Sequence, residues 1–373
     1  MDLLATFYTS LSWLGPVLIV LSILVFFHEL GHYAVARLNA VRVEVFSIGF
    51  GPELFGWTDR HKTRWKVSLI PLGGYVRMFG DADASSAVDW KKVRSLSAEE
   101  RAETLEGKGI FQRMAVVAAG PFANILVTIF CFWLVFLYNG EPLIDGTITI
   151  ADSNGPAALA GLRSGDRLLG VDEVSVDGFT HFRRLMSRVS PSQSVIIHYM
   201  REGERSSVRL TPVSKDGQTI IGVIPYREPR TAWSALKGAI VGTGIVTIEM
   251  LKTFWYFFSG AENPEKIGGL GSIAKMAKDS WEEGILAFVG FMGLLSLNLG
   301  ILNLFPIPVL DGGHLLFYSI EAIRRKPVSQ IIQDRAYKVG FGLLMALMVY
   351  SHWNDLVRFD VFRGIQSLIT KWF

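Results

Sequence analysis

Apolar residues in this chain come in blocks. Residues 3–27, 114–140, 285–310 and 339–354 contain no Asp, Glu, Lys or Arg. The first three exceed the ~20 residues needed to cross a bilayer, and the fourth reaches that length only with its flanks. Four transmembrane helices are expected. Residues 232–258 are also apolar, but Lys237, Glu249 and Lys252 interrupt them; that pattern predicts an amphipathic helix on the outer membrane surface rather than a fifth span. Between the first two blocks the period shortens to two. VRVEVFSIGF (41–50) alternates as a strand does, and RWKVSLIPLGGYVRM (64–78) reads as two short strands around a Pro and Gly-Gly turn. Residues 142–226 form a soluble block of strands and short helices, with an amphipathic helix at 181–189 and a hairpin turned at Glu202 and Gly203.

The fold class expected is a polytopic α-helical membrane protein with a small membrane-associated β-sheet and an inserted α+β domain. Its expected order is a first membrane helix (1–38), a sheet region and loop (39–111), a second helix (112–140), the inserted domain (141–228) and an interfacial helix and loop (229–284). A third span (285–323) and a fourth with the C-terminal tail (324–373) complete it. The first block is too long and its start too poor in basic residues for a removable signal peptide, so it is expected to stay.

Charge sets the orientation. Arg37, Arg42, Arg60, Lys62, Arg64 and Lys66 follow the first block, and Arg324, Arg325 and Lys326 the third. Both loops are expected in the cytosol, which leaves the N-terminus, residues 141–284 and the C-terminus outside. The net charge is +3. Spread in this way, it fits anionic lipid headgroups rather than nucleic acid. The single cysteine, Cys131, lies in an apolar block and offers no disulfide framework.

The chemistry begins in FFHELGHYAV (26–35), where three polar side chains follow the first block without a loop. Such groups at membrane depth are expensive and usually functional. His28 and His32 are four apart, so on a helix both imidazoles face the same way and can share one ion, with Glu29 beside it as general base. A hydrolytic zinc site needs a third protein ligand and an open position. His61, His181, His198 and His352 lie in other segments. The better candidate is Asp311 in NLFPIPVLDGGH (303–314), where two prolines end the helix and Gly312 and Gly313 let the chain turn. Glu29 and Asp311 each follow an uncharged run of similar length, so they should reach comparable depth. His314 is the alternative ligand.

Together these features resemble the site-2 protease family, bacterial intramembrane zinc metalloproteases of the RseP type. The likeness extends to FSIGFGPEL (46–54), PLGGYVRM (71–78) and GPFAN (120–124). The inserted block resembles a PDZ domain through the A-x-x-A-G-L-x-x-G-D-x-L pattern at 157–168, with IIGV (220–223) as a candidate carboxylate-binding turn. The family resemblance implies one catalytic Zn2+ on His28, His32 and Asp311, Glu29 as the catalytic residue, and Asn303 and Asn124 facing the substrate. It also implies the partners: the bilayer, and single-span membrane proteins such as anti-sigma factors or remnant signal peptides. Peptide C-termini at the PDZ-like block are a further expected partner, and a bacterial inner membrane the expected location. Because a helix must unwind to be hydrolysed, Val67 and Leu69 are expected to offer it an edge strand. Many relatives carry two PDZ domains, whereas residues 142–226 have room for one. The competing reading is a non-catalytic PDZ-bearing receptor with a structural metal site. Structural zinc usually takes four strong ligands, and only three are found.

Overall fold

The computed structural model describes residues 3–82, 88–143, 145–215, 218–260 and 268–359. The end of the expected C-terminal tail, 360–373, lies outside them. Contacts divide the chain into two units, residues 1–132 with 239–373, and residues 133–238.

The first unit opens with α1 (Leu3–Leu38), followed by strands β1 (Val43–Thr58) and β2 (Arg64–Met78). Two short helices, α2 (Trp90–Ser95) and α3 (Ala98–Ala102), lead to α4 (Ile110–Asn139). The second unit holds α5 (Pro156–Leu159) and α6 (Phe179–Met186). Beyond it come α7 (Ala232–Phe258), α8 (Leu270–Glu283), α9 (Ile285–Leu304), α10 (Asp311–Arg324) and α11 (Gln330–Arg358).

Among the described residues four helical segments are long and apolar enough to cross a bilayer: Trp13–Leu38, Ile110–Asn139, Ala232–Phe257 and Ile285–Leu304. The number matches expectation, but one member differs. α7, anticipated as an amphipathic surface helix within 229–284, is long and apolar enough to cross a bilayer. It is a continuous helix of about 40 Å, and two of its three charges neutralise each other, Lys252 Nζ lying 2.8 Å from Glu249 Oε1. α11, the expected fourth span, has only the uncharged run 339–354 between Lys338 and Asp355. That run covers about 24 Å of helix, short of the ~30 Å hydrocarbon layer.

The sheet also differs from expectation. Residues 64–78 are one strand, not two, and the tight turn falls at 59–63, where Asp59 Oδ1 accepts from the backbone of His61 and Thr63. Both strands bend, so four strand segments pair through three ladders. Val45 to Ile48 pair with Gly74 to Arg77 on one side and with Arg64 to Val67 on the other, and Arg64 to Val67 pair again with Phe55 to Thr58. The sheet is pinned to α1 and α4 by a core of Ala36, Val41, Phe46, Val76 and Val116, with the Phe46 and Trp65 rings stacked at 4.2 Å. Exposed Leu54, Phe55, Trp57, Leu69 and Ile70 give the tip an apolar surface suited to lipid.

At the end of β2, Asp81 Oδ2 accepts from the Met78 backbone N–H at 2.7 Å. Burial pushes this carboxyl up to about 7, helped by the charges of Glu106 and Glu44. The folded protein therefore keeps a proton that the unfolded chain releases near pH 4, so the associated stability is present below that pH and is lost as pH rises through 7. Its full size is at most about 4 kcal/mol. Thermal unfolding in detergent should occur at lower temperature at pH 8 than at pH 5, and Asp81→Asn should flatten that slope. An unchanged slope in the variant would remove Asp81 as its source.

In the second unit, Val174–Ser175, Arg167–Val171, Val195–Arg201 and Glu204–Leu210 form a four-stranded antiparallel sheet in that spatial order. Ile148, Leu168, Phe182 and Ile197 fill its core. The G-D of the 157–168 pattern is structural here. Asp166 is buried, accepts from the Arg163 backbone N–H, and holds the Arg201 guanidinium with both oxygens.

Candidate active site

α1 presents His28 and His32 one turn apart towards α4, and the two helices meet almost backbone to backbone. A Cβ on Gly31 would strike the Ala119 carbonyl, and one on Gly120 would lie 2.6 Å from His32 Cε1 and 2.9 Å from His28 Cε1. Glycine at these two positions leaves room for the imidazoles between the helices. This accounts for the Gly of HELGH and the Gly of GPFAN.

The third group comes from the break after α9. Pro306 and Pro308 stop the helix, Val309 takes a left-handed φ of 97°, and Asp311 opens α10. The two glycines of LDGG, expected to make the turn, do not. Both lie in the first turn of α10, packed on the broken segment: a Cβ on Gly313 would stand 2.5 Å from Ile307 O, and one on Gly312 would strike Phe305 O.

These elements bring three ligand atoms together. His28 Nε2 lies 3.3 Å from His32 Nε2 and 3.3 Å from Asp311 Oδ2, and His32 Nε2 lies 3.6 Å from Asp311 Oδ1. No other such group of three occurs among the described residues, and His314 is not part of it. A tetrahedral zinc with bonds near 2.05 Å has edges of about 3.3 Å, which the His28–His32 and His28–Asp311 separations match, while the 3.6 Å separation from His32 runs to the other carboxylate oxygen. Asp311 Oδ2 is buried without a hydrogen-bond donor, as suits an oxygen that serves a cation. Three ligands of this kind would leave a fourth position open, as in a catalytic site.

The outer partners agree with that geometry. His32 Nδ1 donates to Val116 O at 2.9 Å, which leaves Nε2 facing His28 and Asp311. His28 Nδ1 meets the Asn124 side-chain amide at 3.1 Å, while Asn124 Oδ1 is buried without a partner. Turning that amide over lets Oδ1 accept from Nδ1–H, and His28 gains the tautomer that ligates through Nε2. Asn124 is fully buried, and its backbone carbonyl accepts at 2.9 Å from Ser296 Oγ of α9 and from Thr128 Oγ1 one turn along its own helix. Asn124→Ala is expected to weaken zinc binding 10–100-fold. A rise in KM at unchanged zinc affinity would instead make it a substrate residue.

Glu29 lies beside the triangle, within reach of the Val76 backbone N–H. It lines a cavity of about 1060 Å³ together with Asp311, His314, Asn303, Gly74 and Tyr75. Val67 and Leu69 are exposed and do not line it. Val67 is paired to Ile48 and to Phe55, so it is interior to the sheet. Among the described residues no strand pairs with the far side of Gly74 to Met78. That segment is the open edge near Glu29. Sequence reading also missed Val116, Thr128 and Ser296, which act through a backbone carbonyl or as small hydroxyls in apolar helices and carry no motif.

The family model for peptidase family M50 matches residues 16–347. A relative from Rhizobium meliloti, named as a zinc metalloprotease, is 38% identical over 358 residues, covering 91% of this chain and 95% of the relative. The metalloprotease MmpA of Caulobacter vibrioides is 31% identical, covering 96% of this chain and 99% of its own. The regulator of sigma E protease of Haemophilus influenzae is 29% identical, covering 94% and 100%. Among solved structures, the PDZ domain of an SdrC-like protein from Listeria monocytogenes matches 22% of the chain at 20% identity and a TM-score of 0.20, too slight a likeness to assign a fold. By the extent of the family match and the zinc metalloproteases among its relatives, the chain belongs to peptidase family M50 and is a membrane-embedded zinc metalloprotease.

Proposed function

We propose that His28, His32 and Asp311 hold the zinc, that Glu29 is the general base and acid, and that the substrate is the membrane segment of a single-span protein. The observation that carries this reading is the cluster of two imidazole nitrogens and the Asp311 carboxylate at separations of 3.3 to 3.6 Å, with the Asp311 Oδ2 buried and without a donor. Zinc supplies Lewis acidity there, polarising a scissile carbonyl and making water acidic enough to attack at neutral pH. Glu29 takes the proton from the attacking water and delivers it to the departing amide nitrogen. Asn303 lines the same cavity and offers an amide to the substrate backbone.

Hydrolysis needs an extended chain, and the unpaired edge of Gly74 to Met78 is suited to receive one as an added strand. The helices are long enough to carry the substrate's membrane segment alongside them. The basic loop after α1 favours a cytosolic position for the site, in a bacterial inner membrane. Residues 141–228 act as a PDZ domain outside the cytosol that contacts the emerging substrate. An anti-sigma factor shortened on its outer side, or a remnant signal peptide, has the chemistry this arrangement accepts.

The test is cleavage of a tagged single-span reporter by the purified protein in lipid vesicles, comparing wild type with Asp311→Asn. A new fragment made by wild type alone, with less zinc in the variant, supports the reading. Equal cleavage by both removes Asp311 from the site.

A further inference from the structure

We propose that the ion pair between Arg113 and Glu321 is a second anchor for α10 and that it positions Asp311 for the metal; this rests on the ligand set proposed above. The pair lies at the opposite end of α10 from the ligand. Arg113 Nη2 donates to Glu321 Oε1 at 2.5 Å and Nη1 to Oε2 at 3.3 Å, a two-armed contact that fixes direction as well as distance. Nη1 also donates to Glu106 Oε2 at 3.2 Å, and the guanidinium stands 4.8 Å from the Tyr318 ring centroid. Arg113 is buried.

The helical spacing shows what the pair connects. On α4, Arg113, Val116, Gly120 and Asn124 fall on one stripe, and the last three contact or accommodate His32 and His28. On α10, Asp311, His314, Tyr318 and Glu321 lie within an arc of about 80°. The two stripes run against each other, with the histidines and Asp311 at one end and the ion pair roughly 15 Å along α10 at the other. α4 thus sets both imidazoles from its own backbone and side chains, and through Arg113 it also sets the roll of the helix that carries the third ligand.

Asp311 needs such a constraint because its near anchor is irregular backbone. It follows directly on the break at 305–310, and its carboxylate sits about 6 Å from the α10 axis. A roll of about 10° moves an atom at that radius by about 1 Å, which is larger than the tolerance of a metal–ligand bond. The broken segment fixes where α10 starts. The two-armed contact fixes how far it turns.

Arg113 has a second carboxylate partner, and this makes the inference separable from a general effect of charge. Glu106 belongs to the loop before α4 and meets α10 only by accepting a hydrogen bond from the Tyr318 hydroxyl, which a glutamine oxygen also accepts, so Glu106→Gln removes the same charge from the same guanidinium while keeping that link. The experiment is zinc affinity of the purified full chain in detergent, by competition with a chromophoric chelator, with folding followed by circular dichroism. Glu321→Gln is expected to bind zinc at least ~10-fold more weakly than wild type, and Glu106→Gln to bind it as wild type does. Glu321→Asp keeps the charge but cannot reach with both arms, so it should fall between the two and remain informative if Glu321→Gln fails to fold. Wild-type affinity in both Glu321 variants would overturn the proposal. Equal weakening by Glu321→Gln and Glu106→Gln would also overturn it, since a shared field would then explain the effect. Asp311→Asn serves as reference: wild-type affinity there would reject the ligand set itself, and this proposal with it.

Discussion

Glu29→Gln is expected to bind zinc as wild type does and to hydrolyse a single-span reporter about a thousandfold more slowly. Glutamine keeps the shape of the side chain and its place beside the triangle of His28, His32 and Asp311, but it cannot take a proton from water. General acid–base catalysis contributes roughly 10²–10⁴ in rate, and Glu29 is assigned both transfers. The loss should lie in kcat, because the binding surfaces are untouched. Zinc content near one per chain combined with undetectable cleavage would match this expectation. Residual cleavage within a few-fold of wild type would assign the base elsewhere. Retained scaffolding with no cleavage even in wild type would revive the receptor reading.

A single methyl group at position 120 should be nearly as damaging. In Gly120→Ala the new carbon would stand 2.6 Å from His32 Cε1 and closer still to Nε2, the ligand atom. Carbon and nitrogen need well over 3 Å, so an imidazole must leave or α1 and α4 must separate. Separation is opposed where Gly31 lies against the Ala119 carbonyl. Alanine favours helix over glycine by about 1 kcal/mol, so α4 itself gains, and the expected outcome is a folded protein with zinc affinity reduced by at least ~100-fold. Calorimetric titration with zinc checks this. Normal affinity in the alanine variant would mean that the helices meet differently.

The sequence exposes some of this architecture and hides the rest for physical reasons. HELGH is legible because a four-residue spacing fixes direction on a helix, and Asp311 because two prolines forbid helix before it. The partners of the ligands are not legible. Val116 contributes a carbonyl, which any residue has, and Arg113 meets Glu321 across 208 positions of chain. α7 looks like a surface helix when its charges are counted singly; Glu249 and Lys252 pair on one face, and a count ignores that. The sheet is misread for a similar reason. Alternation indicates which residues form strands, but not that β1 and β2 each bend and pair twice, which encloses Val67 and leaves Gly74 to Met78 open.

Val309 carries one more consequence. A β-branched residue at a φ of 97° is in a region such side chains avoid, and holding it there stores on the order of 1–3 kcal/mol. Its surroundings come from both near and far in the chain: Gly313 seats on Ile307, and Gly340 of α11 seats on Pro308. On the proposed ligand set, bound zinc would draw on the same conformation and add stability that grows with the logarithm of its concentration over its dissociation constant. With Asp311 as a ligand, metal release and relaxation of this turn would be linked equilibria, and the ion would act as a fastener for a segment that otherwise springs back.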